Sequence, residues 1–376
     1  MRHSWVAATV AAGGLLVAGA GIGVAEGGTI AAHQATGKVA APQGAAKVAA
    51  PQATAKVAAQ RGPAKVALRI GVSAPQYDSP GGTVPTIVTV YAVPKSSKVS
   101  ISATGAGGST VTCTGSVWQN PVRHTASRTC YLQLPNAKGG YAVRGKAVVT
   151  TGSVVRTASG KGTRPVVADG VAAPKPMTMA GIQQIERCGN TTGDVWLTFD
   201  DGGSKAQVTS ILATLKRNNV KGHFFFRGDW ARKNPALFKT IKAAGHVIGN
   251  HTSSHPALSR MGKTNVVKQI TAGTAATGTP KLLRPPFGAG AFTTRLQSHA
   301  KGQGYQLCRW TTDTYDWDGP STALMTERIR YGDHRSAPIS AGGVILMHGH
   351  GKNTASGLQK IINTVRAKKL KLQPLK

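Results

Sequence analysis

The strongest constraint on the fold is an alternation of short apolar runs with helical stretches from about residue 169 onward. Apolar runs that suit buried strands are found at 194–200, 221–227, 246–252, 281–287, 305–311 and 343–348. Helices are expected over 205–218, 235–244 and 354–367. Roughly seven strand-helix units of this kind favour a parallel sheet that is closed, or nearly closed, into a barrel.

Polar motifs lie at or just after the ends of these expected strands. The motifs are Thr-Phe-Asp-Asp-Gly (198–202), His-Thr-Ser-Ser-His-Pro (251–256), Arg-Pro-Pro-Phe-Gly (284–288), Asp-Thr-Tyr-Asp-Trp (313–317) and Leu-Met-His (346–348). Sites in βα barrels are built at the carboxyl ends of the strands. We therefore expect these distant motifs to meet at one mouth of the barrel.

The first three motifs contain the residues of a metal site and a base. Asp200 and Asp201 leave a strand in different directions, so one carboxylate can bind metal while the other accepts a proton. His251 and His255 are four residues apart, and on a helical turn both imidazoles would face one cation. Two histidines and one carboxylate leave coordination positions open for water and substrate. Arg284 is expected to hold a carboxylate by fork-like hydrogen bonds.

The last two motifs suggest a proton donor. His348 follows a continuous apolar strand and should emerge at the mouth, while His350 is a rival two residues on. Asp313, Asp316 and Trp317 could orient and wall a histidine. A carboxylate that accepts a hydrogen bond from an imidazolium raises its pKa, which suits the histidine to act as an acid.

Taken in order, the five motifs resemble those of the NodB-type polysaccharide deacetylases, carbohydrate esterase family 4, over roughly residues 190–376. The resemblance implies that 169–376 form a distorted (β/α)7 barrel that removes acetyl groups from N-acetylated or O-acetylated glycans. It also implies a divalent metal, with zinc expected and cobalt or another divalent ion as alternatives.

The resemblance assigns a metal site and a base. Asp200 matches the catalytic base, and Arg284 matches the residue that orients it. Asp201, His251 and His255 match the metal ligands.

The resemblance also implies roles around the substrate. His348 matches the acid that protonates the leaving amine, and Asp313 matches the aspartate that tunes it. Trp317 would form a wall beside that histidine, and Leu346 would line the acetyl pocket. Phe287 stands where the family often has tyrosine, and its backbone N–H would help to stabilise the oxyanion.

The first 66 residues are typical of an export signal and a spacer. Residues 1–28 begin with Arg2 and His3 and continue as a small, apolar run, which predicts a signal peptide or a retained anchor. Residues 29–66 contain a Lys-Val-Ala repeat with a period of nine, whose composition predicts an extended basic linker.

The segment 67–168 predicts a small all-β, sandwich-like accessory domain. Its strand candidates are 84–93, 98–103, 109–114, 129–134 and 141–149. Cys113 and Cys130 are expected to pair, since an even cysteine count in an exported chain suggests disulfides. Cys188 and Cys308 either pair or remain buried thiols.

The charge balance indicates anionic partners. The chain has 46 basic and 13 acidic residues, which gives a net charge of +33. Such a field attracts polyanions, although it can also serve solubility alone. We expect the linker and the accessory domain to contact anionic cell-wall polymer, outside the cell or at the wall, with nucleic acid not expected as a specific partner.

The expected substrate is the N-acetylglucosamine of peptidoglycan. A deacetylase of chitin oligomers or acetylated xylan would use the same residues. A non-catalytic protein that binds wall polymer is an alternative of another class. A non-haem iron oxygenase is a further one, but its usual His-x-Asp pattern is absent around this site.

Overall fold

A computed structural model of the protein describes residues 67–73, 77–78, 80–136, 139–161, 166–167, 175–278 and 281–375. The expected signal peptide (1–28) and linker (29–66) lie outside the described residues. No helix in the described ranges is long and apolar enough to cross a membrane.

The amino-terminal part of the described chain consists of strands. Strands β1 to β11 are, in chain order, Arg69–Ser73, Tyr77–Asp78, Thr83–Tyr91, Lys98–Ala106, Thr110–Cys113, Trp118–Asn120, Thr125–Gln133, Gly139–Gly140, Ala142–Thr151, Val154–Lys161 and Val166–Val167. One sheet has the order β1-β3-β7-β5, with β6 beside β7, and a second has the order β10-β9-β4. The short strands β2, β11 and β8 form a third sheet. That this region is an independent sandwich-like domain stays a prediction.

Alternation explains how these strands build a core. Along β9, Val143, Ala147 and Val149 are buried while Arg144 and Lys146 are exposed, as the two-residue period of a strand requires. The predicted pairing of Cys113 with Cys130 is confirmed, and it joins β5 to β7. The sequence gives no clear sign of β10, because Val154 and Val155 are adjacent and both exposed, and the rest of the strand does not alternate in polarity.

The carboxyl-terminal part alternates strands and helices. Strands β12 to β18 are Trp196–Asp201, Gly222–Phe226, Val247–Asn250, Leu282–Leu283, Gln306–Leu307, Thr312–Asp313 and Val344–His348. Helices α1 to α8 are Met179–Glu186, Lys205–Arg217, Gly228–Lys233, Pro235–Ala243, Lys263–Thr277, Thr294–Gly302, Thr322–Tyr331 and Thr354–Ala367. All neighbouring strands are parallel, in the order β16-β15-β14-β13-β12-β18-β17.

This sheet is curled but not closed. Its edge strands, β16 and β17, do not pair with each other in the described part of the chain. Only residues 308–311 separate them, and five residue steps span at most about 18 Å. A flat sheet of seven strands would place its edges about 29 Å apart, so this sheet must bend round. The expected barrel is therefore an open, curled parallel sheet.

Local signals fix the helices that cover the sheet. Helix α2 begins after Ser204, whose side chain and that of Gln207 form a reciprocal capping box. Its buried face consists of Val208, Ile211 and Leu215, which join the core between the sheet and α8. Helix α4 begins with proline at its first position, as expected.

The last residues cross the amino-terminal end of the sheet. Gln373 accepts a backbone hydrogen bond from Lys221 (2.8 Å), and its Oε1 lies 2.5 Å from Nε2 of His223. Nδ1 of neighbouring His246 accepts a hydrogen bond from the Gly222 amide (3.1 Å), which requires that nitrogen to be unprotonated. Two neutral histidines therefore support this end of the sheet.

Acid should destabilise the fold through His223. Burial lowers the pKa of His223 from 6.5 to about 4. Since the unfolded chain takes up the proton first, the free energy of unfolding should fall as pH drops from 6.5 towards 4. We expect His223→Gln, which keeps a partner for Gln373 without titrating, to remove about 1.4 kcal/mol per pH unit from that slope.

Urea unfolding at several pH values between 4 and 7 measures this slope. The exposed histidine of the β6–β7 loop supplies a control, because His124→Gln should leave the slope as in the wild type. An equal slope in His223→Gln and wild type would contradict the role of the buried imidazole.

Candidate metal and catalytic site

The strand ends bring the predicted residues to one end of the sheet. Strand β12 ends in Asp200 and Asp201, and β18 ends in His348, which lies in register with Asp200. His251 directly follows β14, and Arg284 directly follows β15. The motifs therefore converge at one end of the sheet, as expected.

Asp201, His251 and His255 form a compact cluster. Oδ1 of Asp201 lies 3.7 Å from Nε2 of His251 and 3.3 Å from Nε2 of His255. One ligand atom from each residue lies within 4.8 Å of the others. These three side chains could therefore share one ion.

The turn that carries the two histidines is not helical, so the helical reason for their spacing was wrong. Thr252 and His255 both have left-handed backbone, with φ of 69° and 66°. The Thr252 amide donates to Oδ1 of Asn250 (2.7 Å), and the His255 amide donates to Oγ1 of Thr252 (3.0 Å). Side-chain hydrogen bonds within the turn, rather than helix geometry, aim both imidazoles at Asp201.

The donor set fits a divalent cation. Nδ1 of His251 donates to the Arg284 carbonyl (2.7 Å), so Nε2 is the ring nitrogen that faces the cluster. Burial lowers the pKa of His255 to about 4, so its imidazole is neutral at pH 7 and can bind a cation. Oδ1 of Asp201 is buried without a hydrogen-bond donor, which is costly unless a cation binds it.

The Asp201 carboxylate is also charged. Burial raises its pKa, but the neighbouring histidines outweigh burial and hold the pKa of Asp201 below its ordinary value. One carboxylate and two imidazoles are the ligands that zinc and similar ions take in open catalytic sites, where the metal displaces any proton from the ring nitrogens.

Asp200 forms a buried ion pair with Arg284. Nη1 of Arg284 donates to Oδ1 of Asp200 (2.6 Å), and the side chains are 0% and 3% exposed. The other carboxylate oxygen, Oδ2, lies 3.6 Å from Nε2 of His251. One oxygen is therefore fixed and the other faces the metal cluster.

Arg284 does not bind a carboxylate with both nitrogens, so the fork-like arrangement was wrong. Its Nη1 also donates to Oγ1 of Thr198 (2.8 Å), and its Nη2 donates to the Arg309 carbonyl (2.7 Å). The guanidinium carbon lies 4.0 Å from the centre of the Phe225 ring. Four different groups thus hold this cation in one orientation.

A disulfide lies against the same arginine. Cys188 and Cys308 pair, which settles the open alternative, and Sγ of Cys308 is 3.4 Å from Nη2 of Arg284. The bond ties the chain just after α1 to the chain just after β16. Nothing in the sequence links either cysteine to the arginine.

The partner of His348 is Asp316 rather than Asp313, which corrects the expected assignment. Nδ1 of His348 donates to Oδ1 of Asp316 (2.8 Å), and the His348 amide donates to Oδ2 (2.6 Å). Thr354 also donates to Oδ2. Burial lowers the pKa of His348, but the hydrogen bond and charge of Asp316, with the carboxylates of Asp200 and Asp201, raise it to about 9.

Asp313 instead shapes the loop that presents Asp316. It accepts a hydrogen bond from the Tyr315 amide (2.7 Å), and its own amide donates one to Oγ of Ser336 (2.8 Å). Burial raises the pKa of Asp313 to about 6. The Asp313 carboxylate therefore bonds to the backbone of the loop rather than to His348.

His350 lacks the environment of His348. Its side chain is 49% exposed, and its Nδ1 lies 3.8 Å from Oδ2 of Asp201. Among the described residues, a carboxylate hydrogen-bonds to the ring of His348 but not to that of His350. This difference favours His348 as the acid.

The predicted substrate residues surround this cluster. Phe287 is 68% exposed and has a left-handed backbone (φ 60°), and its ring lies 4.6 Å from that of His255. Trp317 is 47% exposed, while Leu346 is buried. Their roles towards a substrate stay predictions.

Residues 189–308 match the protein-family model described as polysaccharide deacetylase. The chain is 37% identical over 188 residues to the peptidoglycan-N-acetylglucosamine deacetylase of Bacillus cereus, covering 46% of this chain and 64% of that protein. It is 32% identical over 182 residues to the peptidoglycan-N-acetylglucosamine deacetylase PgdA of Listeria monocytogenes, covering 47% and 37% respectively. The chain thus spans less than two thirds of the length of both relatives.

A solved structure described as a family 4 carbohydrate esterase from Streptomyces lividans, in complex with acetate, is 31% identical. The match covers 48% of this chain and 91% of the esterase, with a TM-score of 0.43. The family match and the ordered motifs lead to one conclusion: residues 189–308 of this chain carry a polysaccharide deacetylase domain of the NodB type, carbohydrate esterase family 4.

Proposed function

We propose that this protein is an exported, metal-dependent deacetylase that hydrolyses the N-acetyl groups of peptidoglycan N-acetylglucosamine and releases acetate. The observation that carries the proposal is the arrangement of Asp200 and His348 beside the metal-type cluster, each with its own buried partner. The named activity of the two bacterial relatives supports the substrate class.

Asp201, His251 and His255 would hold the metal. A divalent ion there, zinc or alternatively cobalt or another ion, would supply Lewis-acid chemistry that acidifies water and polarises a carbonyl. The buried, unpaired Oδ1 of Asp201 supports this assignment.

Asp200 acts as the base. Arg284 occupies its Oδ1, so Oδ2 is the oxygen free to accept a proton from the attacking water. The water oxygen bonds to the acetyl carbon, and the carbonyl oxygen becomes an oxyanion. The backbone N–H of Phe287 is proposed to stabilise that charge.

His348 acts as the acid. Its raised pKa keeps the ring protonated at neutral pH, and its Nδ1–H is committed to Asp316. Nε2 is therefore the donor to the leaving sugar nitrogen. The carbon–nitrogen bond breaks, and the products are acetate and a free amine.

The exposed rings beside the cluster suit a sugar chain. Phe287 and Trp317 expose apolar faces at the mouth of the sheet. Most other large apolar side chains among the described residues are buried. We assign Trp317 to a wall of the substrate groove and Leu346 to the acetyl pocket.

An anionic wall polymer is the proposed partner of the linker 29–66 and of the region formed by strands β1 to β11, here called the β-rich region. Arg144, Lys146 and Lys161 are exposed on the sheet β10-β9-β4, and Lys161 lies directly opposite Arg144. Facing like charges destabilise a sheet, and no carboxylate pairs with these three among the described residues. A polyanion on this face would supply the missing charge.

We expect the purified protein to release acetate from peptidoglycan. Chelator should abolish release, and added Zn²⁺ or Co²⁺ should restore it, because Asp201, His251 and His255 would bind the added ion again. Oligomers of N-acetylglucosamine and acetylated xylan are assayed in parallel. Release from those substrates alone would move the substrate away from the wall, and no release from any of them with metal added would contradict the proposal.

Asp200→Asn should separate metal binding from catalysis. We expect acetate release to fall about 10²–10⁴-fold, because the amide cannot accept the proton. Zinc affinity, measured by calorimetry, should stay close to that of the wild type, since Asp201 provides the ligand oxygen. Asp194→Asn, before the start of the same strand, is the matched control. Lost zinc binding or near-normal turnover in Asp200→Asn would contradict the division of roles.

Asp316→Asn should shift the alkaline limb of the pH–rate profile. His348 works while protonated, so activity is lost as pH rises through its pKa, which Asp316 raises. Without that carboxylate the pKa of His348 falls, and the limb should move to lower pH. Asp313→Asn should move it less, because Asp313 does not bond to His348. The opposite order of the two variants would restore Asp313 as the tuning residue.

A further inference from the structure

We propose that the β-rich region helps to position the catalytic base, and that Tyr131 of β7 is the positioning residue. This inference rests on the proposed function of Asp200. A chain of contacts leads from Tyr131 through Glu186 and Arg309 to Arg284, and from there to Asp200.

The Tyr131 side chain packs among residues of the carboxyl-terminal part rather than in the core of the β-rich region. Strand alternation places Cys130 and Leu132 in the core of the β-rich region, and it sends Tyr131 to the opposite face. There the ring is 6% exposed and packs in a cluster with Ile182 and Ile185 of α1. The β-rich region thus contributes a side chain to the packing around α1.

The Tyr131 hydroxyl meets a carboxylate at the end of α1. Its Oη donates to Oε2 of Glu186 at 2.7 Å. Oε1 of Glu186 lies 4.0 Å from Nη1 of Arg309, and the two side chains are 14% and 11% exposed. A poorly hydrated carboxylate that loses its hydroxyl donor has to find water or move, because an unpaired buried charge is costly.

The end of α1 also sets the position of residue 309. The Arg309 amide donates to the Ile185 carbonyl (2.8 Å), and the Arg309 carbonyl accepts from Nη2 of Arg284 (2.7 Å). The Arg309 guanidinium carbon lies 4.5 Å from the centre of the Trp310 ring. A shift of the last turn of α1 therefore moves an acceptor that fixes Arg284, and Arg284 fixes Asp200.

A second contact joins the β-rich region to the sheet without leading to the base. Nδ2 of Asn120 donates to Oε1 of Glu327 (3.0 Å) and to the Gly332 carbonyl (2.9 Å). Arg123 pairs with the same carboxylate. Glu327 on α7 is thus a matched control, because changing it weakens the attachment of the region and leaves Glu186 alone.

The test compares Tyr131→Phe with Glu327→Gln and with Ile182→Val, which loosens the same cluster but keeps the hydroxyl. We expect kcat for acetate release to fall about tenfold in Tyr131→Phe with KM within twofold, because displacements below 1 Å affect chemistry more than binding. Both controls should keep kcat within twofold of wild type, whatever their melting temperatures. Unchanged kcat in Tyr131→Phe, or an equal fall in all three variants, would overturn the proposal.

Hydrogen exchange tests the role of Tyr131 independently of the proposed deacetylase activity. Amides in the peptide spanning 306–313 should exchange faster in Tyr131→Phe than in wild type. In Glu327→Gln their exchange rates should equal those of the wild type, and both results are expected whether or not acetate is released. A wild type that is inactive with metal but shows this exchange pattern would refute the function and retain the coupling. If Tyr131→Phe does not fold, Glu186→Gln is used, and it should show the same fall in kcat because it loses the charge facing Arg309.

Discussion

The contact between Arg284 and Asp200 is the constraint on which the site and the sheet both depend. Arg284 follows β15 and Asp200 ends β12, which are three positions apart in the strand order. In a flat sheet those strands would lie about 14 Å apart, yet Nη1 and Oδ1 are 2.6 Å apart. Curling of the sheet brings the two strand ends within easy reach of these side chains. Because removing one partner of a buried ion pair costs about 3–5 kcal/mol, the stability of the fold and the position of the proposed base are linked.

Backbone strain is concentrated around the same site. Non-glycine residues with left-handed backbone at the mouth of the sheet are Asp201, Thr252, His255, Phe287 and Tyr315. Each such residue costs about 1–3 kcal/mol unless the surroundings enforce it. Here side-chain bonds such as that of the Thr252 amide to Asn250 enforce it, and the result is ligands aimed at one point.

The sequence could predict the strand ends and the convergence of the motifs, since both follow from local periodicity and from the resemblance. It could not distinguish Asp316 from Asp313, because that choice depends on a loop in which Tyr315 is left-handed and residues 316–318 form a single 3₁₀ turn. It also left the Cys188–Cys308 pair open, because only the curl of the sheet brings these distant positions together. Long-range geometry, rather than residue type, decided each of these points.

The register of strands β12 and β18 makes the proposed acid and the proposed base neighbours. Strand β12 pairs with β18 so that Asp200 stands beside His348, and the Gly349 amide donates to the Asp200 carbonyl (3.0 Å). A slip of one residue would turn each of these side chains to the other face of the sheet. Their partners come from opposite directions, since Arg284 follows β15 and Asp316 follows the edge strand β17. The two proposed catalytic groups can therefore be close neighbours while each keeps a separate electrostatic environment, which hydrolysis by a base and an acid requires.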